Sequence, residues 1–193
     1  MDTSRDHVES LIDLFIAFIP TTPLGPGIET RIGGFFSAFW TVVTTAVTTG
    51  SVNSSLAAMH PLVILSAFLG MLIQSTPGGG GVGLMHMVMY IVITVFIVGL
   101  MTGRTPEYLG IKITGRDVKL VMVAFLIHPL IILIPSVLAL GTGAAGAIGV
   151  TSNSLGFTQI LYEYATSAAN NGSAFLGASA NTPFFNISTA IVI

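Results

Sequence analysis

The sequence contains no cysteine, which removes disulfide frameworks, thiolate metal sites and cysteine nucleophiles together. Charge is nearly as scarce. Only 7% of the 193 residues are charged, against roughly 25% in a soluble globular domain. The charges are also segregated: from Ile32 to Gly103, from Leu120 to Tyr162 and from Tyr164 to Ile193 there is no Asp, Glu, Lys or Arg. A water-soluble chain cannot wet its surface with such stretches. A bilayer protein requires them, because a charge at the membrane centre costs about 2.5–3.5 kcal/mol even on the insertion scale. With 52% hydrophobic residues and a mean hydropathy of +0.90, the chain reads as an all-α integral membrane protein. A net charge of -2 gives no basic footprint, so nucleic acid is not an expected partner. The four histidines, His7, His60, His86 and His128, have no HxxxH or HExxH spacing, and no metal is expected on them.

What is present is a succession of apolar segments of unequal length. Met1 to Glu9 is polar, and the apolar run from Leu11 to Ile19, closed by Pro20, is too short to cross a core of about 30 Å. Its acidic flank (Asp2, Asp6, Glu9, Asp13) is the reverse of a signal peptide, which leaves an interfacial or broken helix. After the loop Thr21 to Gly27, the segment Phe35 to Gly50 is short and rich in threonine. Pro61 to Pro77 and Gly83 to Met101 are apolar and enclose Gly78, Gly79, Gly80 and Gly81. They form either two helices joined by a turn or one span interrupted at membrane depth, and the second is tolerated only where protein or water covers the loop. Gly103 to Lys119 carries Arg104, Lys112, Arg116 and Lys119, four of the 6 basic residues, so it is expected in the cytoplasm. Leu120 to Leu140 is a span that Pro129 and Pro135 should kink. An external loop from Gly141 to Gly156, a short half-polar helix from Phe157 to about Ala169, and a connector with the start of a helix from Phe175 to Ile193 complete the chain.

Two segments align without a gap, Thr44-Thr45-Ala46-Val47-Thr48-Thr49-Gly50-Ser51 and Thr166-Ser167-Ala168-Ala169-Asn170-Asn171-Gly172-Ser173, each preceded by aromatics. Repetition points to an architecture built from copies of one unit. Each copy is a helix too short to span, then a small and polar strand with one glycine. Backbone carbonyls on such a strand can replace the water shell of K⁺, glycine supplies the backbone angles, and the short helix aims its negative end at the cavity. Small residues are also common where membrane helices simply touch, but the ungapped repetition behind two short helices favours the ion-coordinating reading.

Three motifs, Gly103-Arg104-Thr105-Pro106-Glu107-Tyr108-Leu109-Gly110, Ala168-Ala169-Asn170-Asn171-Gly172-Ser173-Ala174-Phe175 and Ser179-Ala180-Asn181-Thr182-Pro183-Phe184, resemble the KdpA family, the potassium-binding subunits of Kdp potassium-transporting P-type ATPases. The likeness runs from about Glu29 to the end. It implies four M1-P-M2 repeats with re-entrant pore helices around one filter, of which this chain resembles about two: residues 29–102 the pore helix, filter and interrupted M2 of the third, 103–119 a cytoplasmic connector, and 120–193 M1, pore helix, filter and part of M2 of the fourth. Residues 1–28 match nothing in that plan. By this resemblance Thr48, Thr49, Gly50 and Ser51, with Asn170, Asn171, Gly172 and Ser173, hold K⁺ through their carbonyls, and Gly78 to Gly81 obstruct the pore. Gln74, on the ion path, replaces the acidic residue that the family usually carries there.

The implied role is K⁺ uptake without catalysis by this chain, since it has neither a P-loop nor a DKTG motif. ATP hydrolysis falls to a KdpB-like subunit, with KdpC-like and small accessory subunits and membrane lipid as further partners. K⁺ is the transported ion, no organic cofactor is expected, and the location is the cell membrane. Alternatives are a Trk/Ktr-like passive transporter or channel and a non-transporting helix-packing fragment. Two strands cannot close a ring of four, so the expectation is a gene fragment, ahead of a split subunit or a short form that dimerises. Glu163 is expected as a polar contact near the headgroups, ahead of a role in steering cations. The basic connector residues are explained by topology and the methionines by packing.

Overall fold

The computed structural model describes residues 31–74, 78–150 and 155–193. The segment 1–28 and its apolar run Leu11 to Ile19 lie outside the described residues. The remaining chain is mainly helical: α1 Gly34–Ala46, α2 Pro61–Ile73, α3 Val82–Thr102, α4 Gly115–Gly141, the short α5 Ala144–Ala147, α6 Gly156–Ala168 and α7 Pro183–Val192. Single 3₁₀ turns at Leu56–Ala58 and Gly177–Ala180 precede α2 and α7. One departure from the all-helical expectation lies in the charged connector, where β1 Glu107–Tyr108 pairs antiparallel with β2 Ile111–Lys112. The turn residues Leu109 and Gly110 both have positive φ, 50° and 77°, which is the two-residue hairpin geometry that matches strand twist.

Helix lengths sort the elements. α3 with 21 residues and α4 with 27 are long and apolar enough to cross a membrane, whereas α1 and α6 have 13 residues each and reach only about 20 Å. α4 continues without a break through Pro129 and Pro135. It starts earlier than its hydropathy suggests because Thr114 and Asp117 form a capping box: Asp117 N–H donates to Thr114 Oγ1, and Asp117 Oδ2 accepts from Thr114 N–H at 2.9 Å. α1 tolerates its threonines because Thr41 and Thr45 donate their hydroxyls to the carbonyls of Ser37 and Thr41, both at 2.9 Å. Those polar groups need no water inside an apolar phase.

Packing runs opposite to that of a soluble protein. α1 packs on α2, α4 on α6, and α6 also meets α2 and α7. The buried set includes Ser37, Thr41, Thr44, Thr45, Thr166, Ser167, Asn171 and Ser173 alongside Tyr162, Tyr164, Ile132, Met71 and Phe185. Meanwhile Leu100, Met101, Leu120, Val137 and Leu138 on the two long helices are exposed. Only 6% and 17% of their most apolar windows are buried, so neither is the core helix of a soluble domain. An apolar exterior around a hydroxyl-rich interior is the arrangement a bilayer selects.

Candidate functional site

The chain leaves α1 and α6 by the same backbone route. Thr48 and Asn170 take left-handed φ values of 57° and 54°, and two residues later Gly50 and Gly172 take 73° and 70°. The carbonyl of Thr44 accepts from Thr49 and Gly50 N–H at 2.9 and 3.4 Å, and the carbonyl of Thr166 accepts from Asn171 and Gly172 N–H at 3.1 and 3.5 Å. Side chains repeat the match. The Thr44 and Ser51 hydroxyls lie 3.2 Å apart, as do those of Thr166 and Ser173. An aromatic residue one helical turn earlier reaches each serine: Trp40 Nε1 donates to Ser51 O at 3.2 Å, and the Tyr162 hydroxyl lies 3.2 Å from Ser173 Oγ. Hydroxyls and an indole N–H thus hold the first residues after each helix against it.

The two segments also meet each other. A Cβ placed on Gly50 would lie 1.5 Å from the Asn171 carbonyl oxygen and 3.2 Å from Ser173 N, so backbone approaches backbone with no room for a side chain. Asn171 is the hub. Its Oδ1 accepts from the Thr166 hydroxyl and from Ser173 N–H and Oγ–H, both at 3.0 Å, and its Nδ2 donates to Thr45 O at 3.5 Å. Thr49, its counterpart, is exposed. Gly172 faces nothing within 4 Å among the described residues.

The glycine run reaches this region too. A Cβ on Gly79 would lie 2.0 Å from Thr48 Oγ1 and 3.5 Å from Val47 O, whereas Gly80 and Gly81 have open surroundings. Gln74 ends α2 in a left-handed conformation (φ 45°), its N–H donating to Gly70 O. It is buried and lines a cavity of about 220 Å³ with His86, Tyr90 and His128. There His128 Nε2 lies 3.3 Å from Met71 O, and the Tyr90 hydroxyl donates to Ile73 O at 2.5 Å. Tyr90 is about 12 Å along α3 from Val82. The end of α2 therefore lies beside the middle of α3, and Gly79 approaches Thr48.

Two features were misjudged or missed in the sequence. Glu163 is no headgroup contact. It is only 7% exposed, and its Oε2 accepts from the Phe175 and Leu176 N–H groups at 3.2 and 3.3 Å. The aromatics before each segment were visible in the sequence, but not that Trp40 and Tyr162, in register when Thr44 is laid on Thr166, reach Ser51 and Ser173. Among the described residues no group of three or more His, Cys, Asp or Glu could hold a metal ion.

Comparison with known proteins gives the family. The KdpA profile, described as potassium-transporting ATPase A subunit, matches residues 15–193. The chain is 47% identical over 167 residues to the potassium-transporting ATPase potassium-binding subunit 2 of Staphylococcus aureus (strain Mu50 / ATCC 700699) and to the potassium-transporting ATPase potassium-binding subunit of Staphylococcus haemolyticus (strain JCSC1435). Each alignment covers 86% of this chain, which thus spans 30% of the length of those relatives. With a profile match over most of its length and motifs that fall on the hairpin after α3 and on the segments between α6 and α7, the chain belongs to the KdpA family of potassium-transporting ATPase A subunits.

Proposed function

We propose that residues 48–51 and 170–173 are two adjacent strands of a K⁺ selectivity filter, within the potassium-binding subunit of an ATP-driven uptake system. The observation that carries this reading is the side-chain-free approach of Gly50 to Asn171, made by two segments with matching backbone angles. A dehydrated cation needs a ring of oxygens at fixed spacing. Here the Ser51 and Ser173 hydroxyls and the Asn171 amide bond back into the protein, as do Ser51 O and Gly172 O, and in this reading the other backbone carbonyls of the two segments face the ion. In this reading α1 and α6 are re-entrant pore helices whose negative ends point toward the cation. On the four-repeat plan of the family, the two strands are the third and fourth of the ring, and Gly172 faces the side where the next strand docks.

The same reading makes the turn at Gly78–Gly81 a constriction beneath Thr48, interrupting the M2 helix of the third repeat. K⁺ enters from outside, loses its water at the filter and passes inward toward Gln74. Uphill movement is driven by ATP hydrolysis on a KdpB-like subunit, with KdpC-like and small accessory subunits completing the complex in the cell membrane. The hairpin Glu107–Lys112 with Arg104, Arg116 and Lys119 faces the cytoplasm under the positive-inside rule.

Gly172→Asp tests the filter assignment in an assembled complex carrying these segments. At φ 70° a residue with a Cβ costs about 1–2 kcal/mol, which corresponds to about a tenfold loss. The expected result is a K⁺ half-saturation raised about tenfold or more, with the complex still assembled. Unchanged affinity and selectivity would reject the assignment.

A further inference from the structure

We infer that Glu163 is a positioning residue for ion selectivity, fixing the outer end of the 170–173 strand by accepting two successive backbone N–H groups. The inference deepens the filter reading and rests on it. Glu163 sits on α6 one turn before Ser167, in a helix whose residues Tyr162 to Ser167 are all buried. Its Oε2 takes the N–H of Phe175 at 3.2 Å and that of Leu176 at 3.3 Å. These are the residues that carry the chain away from the strand, Leu176 serving as the cap of the 3₁₀ turn Gly177–Ala180. One oxygen shared by two consecutive amides fixes a bend, because neither N–H can turn away without losing a hydrogen bond in a water-poor site.

The contact is specific to one of the two segments. The residue in register with Glu163 is Thr41, whose hydroxyl is spent on Ser37 O within its own helix. Among the described residues the first strand therefore shows no carboxylate clamp. The second is held at its base by Asn171, Ser173 and Tyr162, and at its exit by Glu163. Phe175 reinforces the exit, its ring meeting that of Tyr162 edge to face at 5.5 Å. A strand pinned at both ends cannot widen or collapse to suit a different ion. That fixity is what separates a selective site from one that merely attracts cations, and a buried carboxylate with no metal to bind is otherwise a costly thing to keep.

The test compares Glu163→Leu with Glu163→Gln in the assembled transport complex, reading apparent affinities for K⁺, Rb⁺ and Na⁺ at matched complex abundance. Gln keeps an acceptor oxygen at the same reach, whereas Leu removes both bonds. The Leu variant is expected to raise the K⁺ half-saturation about tenfold and to narrow the preference for K⁺ over Rb⁺. The Gln variant should stay within about threefold of the parent. If the Leu variant does not assemble, Glu163→Asp, one methylene short of the two amides, takes its place with the same expectation. An assembled Leu or Asp variant with unaltered ion preference overturns the inference, as does a Gln variant as impaired as Leu. Gly172→Asp, run in parallel, separates the two levels: if it shifts K⁺ affinity while the Glu163 variants do not, only the positioning role falls. If neither shifts it, the filter reading falls as well.

Discussion

Gly50→Ala is expected to abolish selective K⁺ uptake, with K⁺ affinity lowered by more than about 100-fold in a complex that still reaches the membrane. The Cβ would sit 1.5 Å from the Asn171 carbonyl oxygen and 2.5 Å from its carbon, deep inside van der Waals contact. The obstacle is backbone, so no rotamer change relieves it. Nor can Asn171 retreat, because its side chain is tied to Thr166, Ser173 and Thr45. The left-handed φ of 73° at Gly50 adds strain of about 1–2 kcal/mol to any L residue. The two strands must separate, and separation moves the carbonyls that the proposed site depends on. Gly141→Ala supplies the contrast: Gly141 ends α4, outside the positive-φ set and with nothing within 4 Å, so uptake should be unchanged. Rb⁺ uptake by cells normalised to complex abundance measures both. Equal activity of the two variants would show that Gly50 is not at a strand-to-strand contact in the working protein.

Much of this arrangement was legible in the sequence, and the failures share a cause. The offset that lays Thr44 on Thr166 also lays Gly34 on Gly156 and Ala46 on Ala168, the ends of the two 13-residue helices. Periodicity of apolar residues could not place those ends. The segment Phe35 to Gly50 was expected to pass from a short helix to a strand near Thr48, and the helix stops at Ala46, ahead of the left-handed Thr48 and Gly50. Likewise α2 stops at Ile73, where Gln74 enters the left-handed region, and α4 starts at Gly115 because the Thr114 and Asp117 cap outweighs the charge on Arg116 and Lys119. Hydropathy was also a poor guide to burial here. A charged residue near a helix end reads as exposed, but in a protein whose surface is apolar the polar groups belong inside, and Glu163 followed that rule. Its partners are backbone N–H groups, which leave no trace in side-chain composition. The hairpin at Glu107–Lys112 was equally invisible, since it depends on positive φ at Leu109 as well as Gly110.

The second large effect is expected at Gly79, where the obstacle is a side chain and can therefore be removed. A Cβ on Gly79 would lie 2.0 Å from Thr48 Oγ1, but 3.4 Å from Thr48 Cβ and 3.5 Å from Val47 O. Gly79→Ala alone should push the glycine turn away from the 48–51 segment or drive Thr48 out of its conformation, and K⁺ transport should fall by about tenfold or more. Thr48→Ala deletes Oγ1 and leaves the carbonyl that the filter reading assigns to K⁺. A β-branched residue at φ 57° is itself strained, so that single change should cost little. The double variant, Gly79→Ala with Thr48→Ala, is then expected to recover most of the lost transport, because the remaining neighbours lie near ordinary contact distance. Such non-additivity is the signature of two residues in direct contact. Additive losses in the double variant would mean that the glycine turn and the filter segment do not touch in the assembled complex, and the constriction beneath Thr48 would have to be placed elsewhere. Recovery would fix the turn against the strand, and the glycine at position 79 would then be required by that contact, since its φ lies outside the positive range.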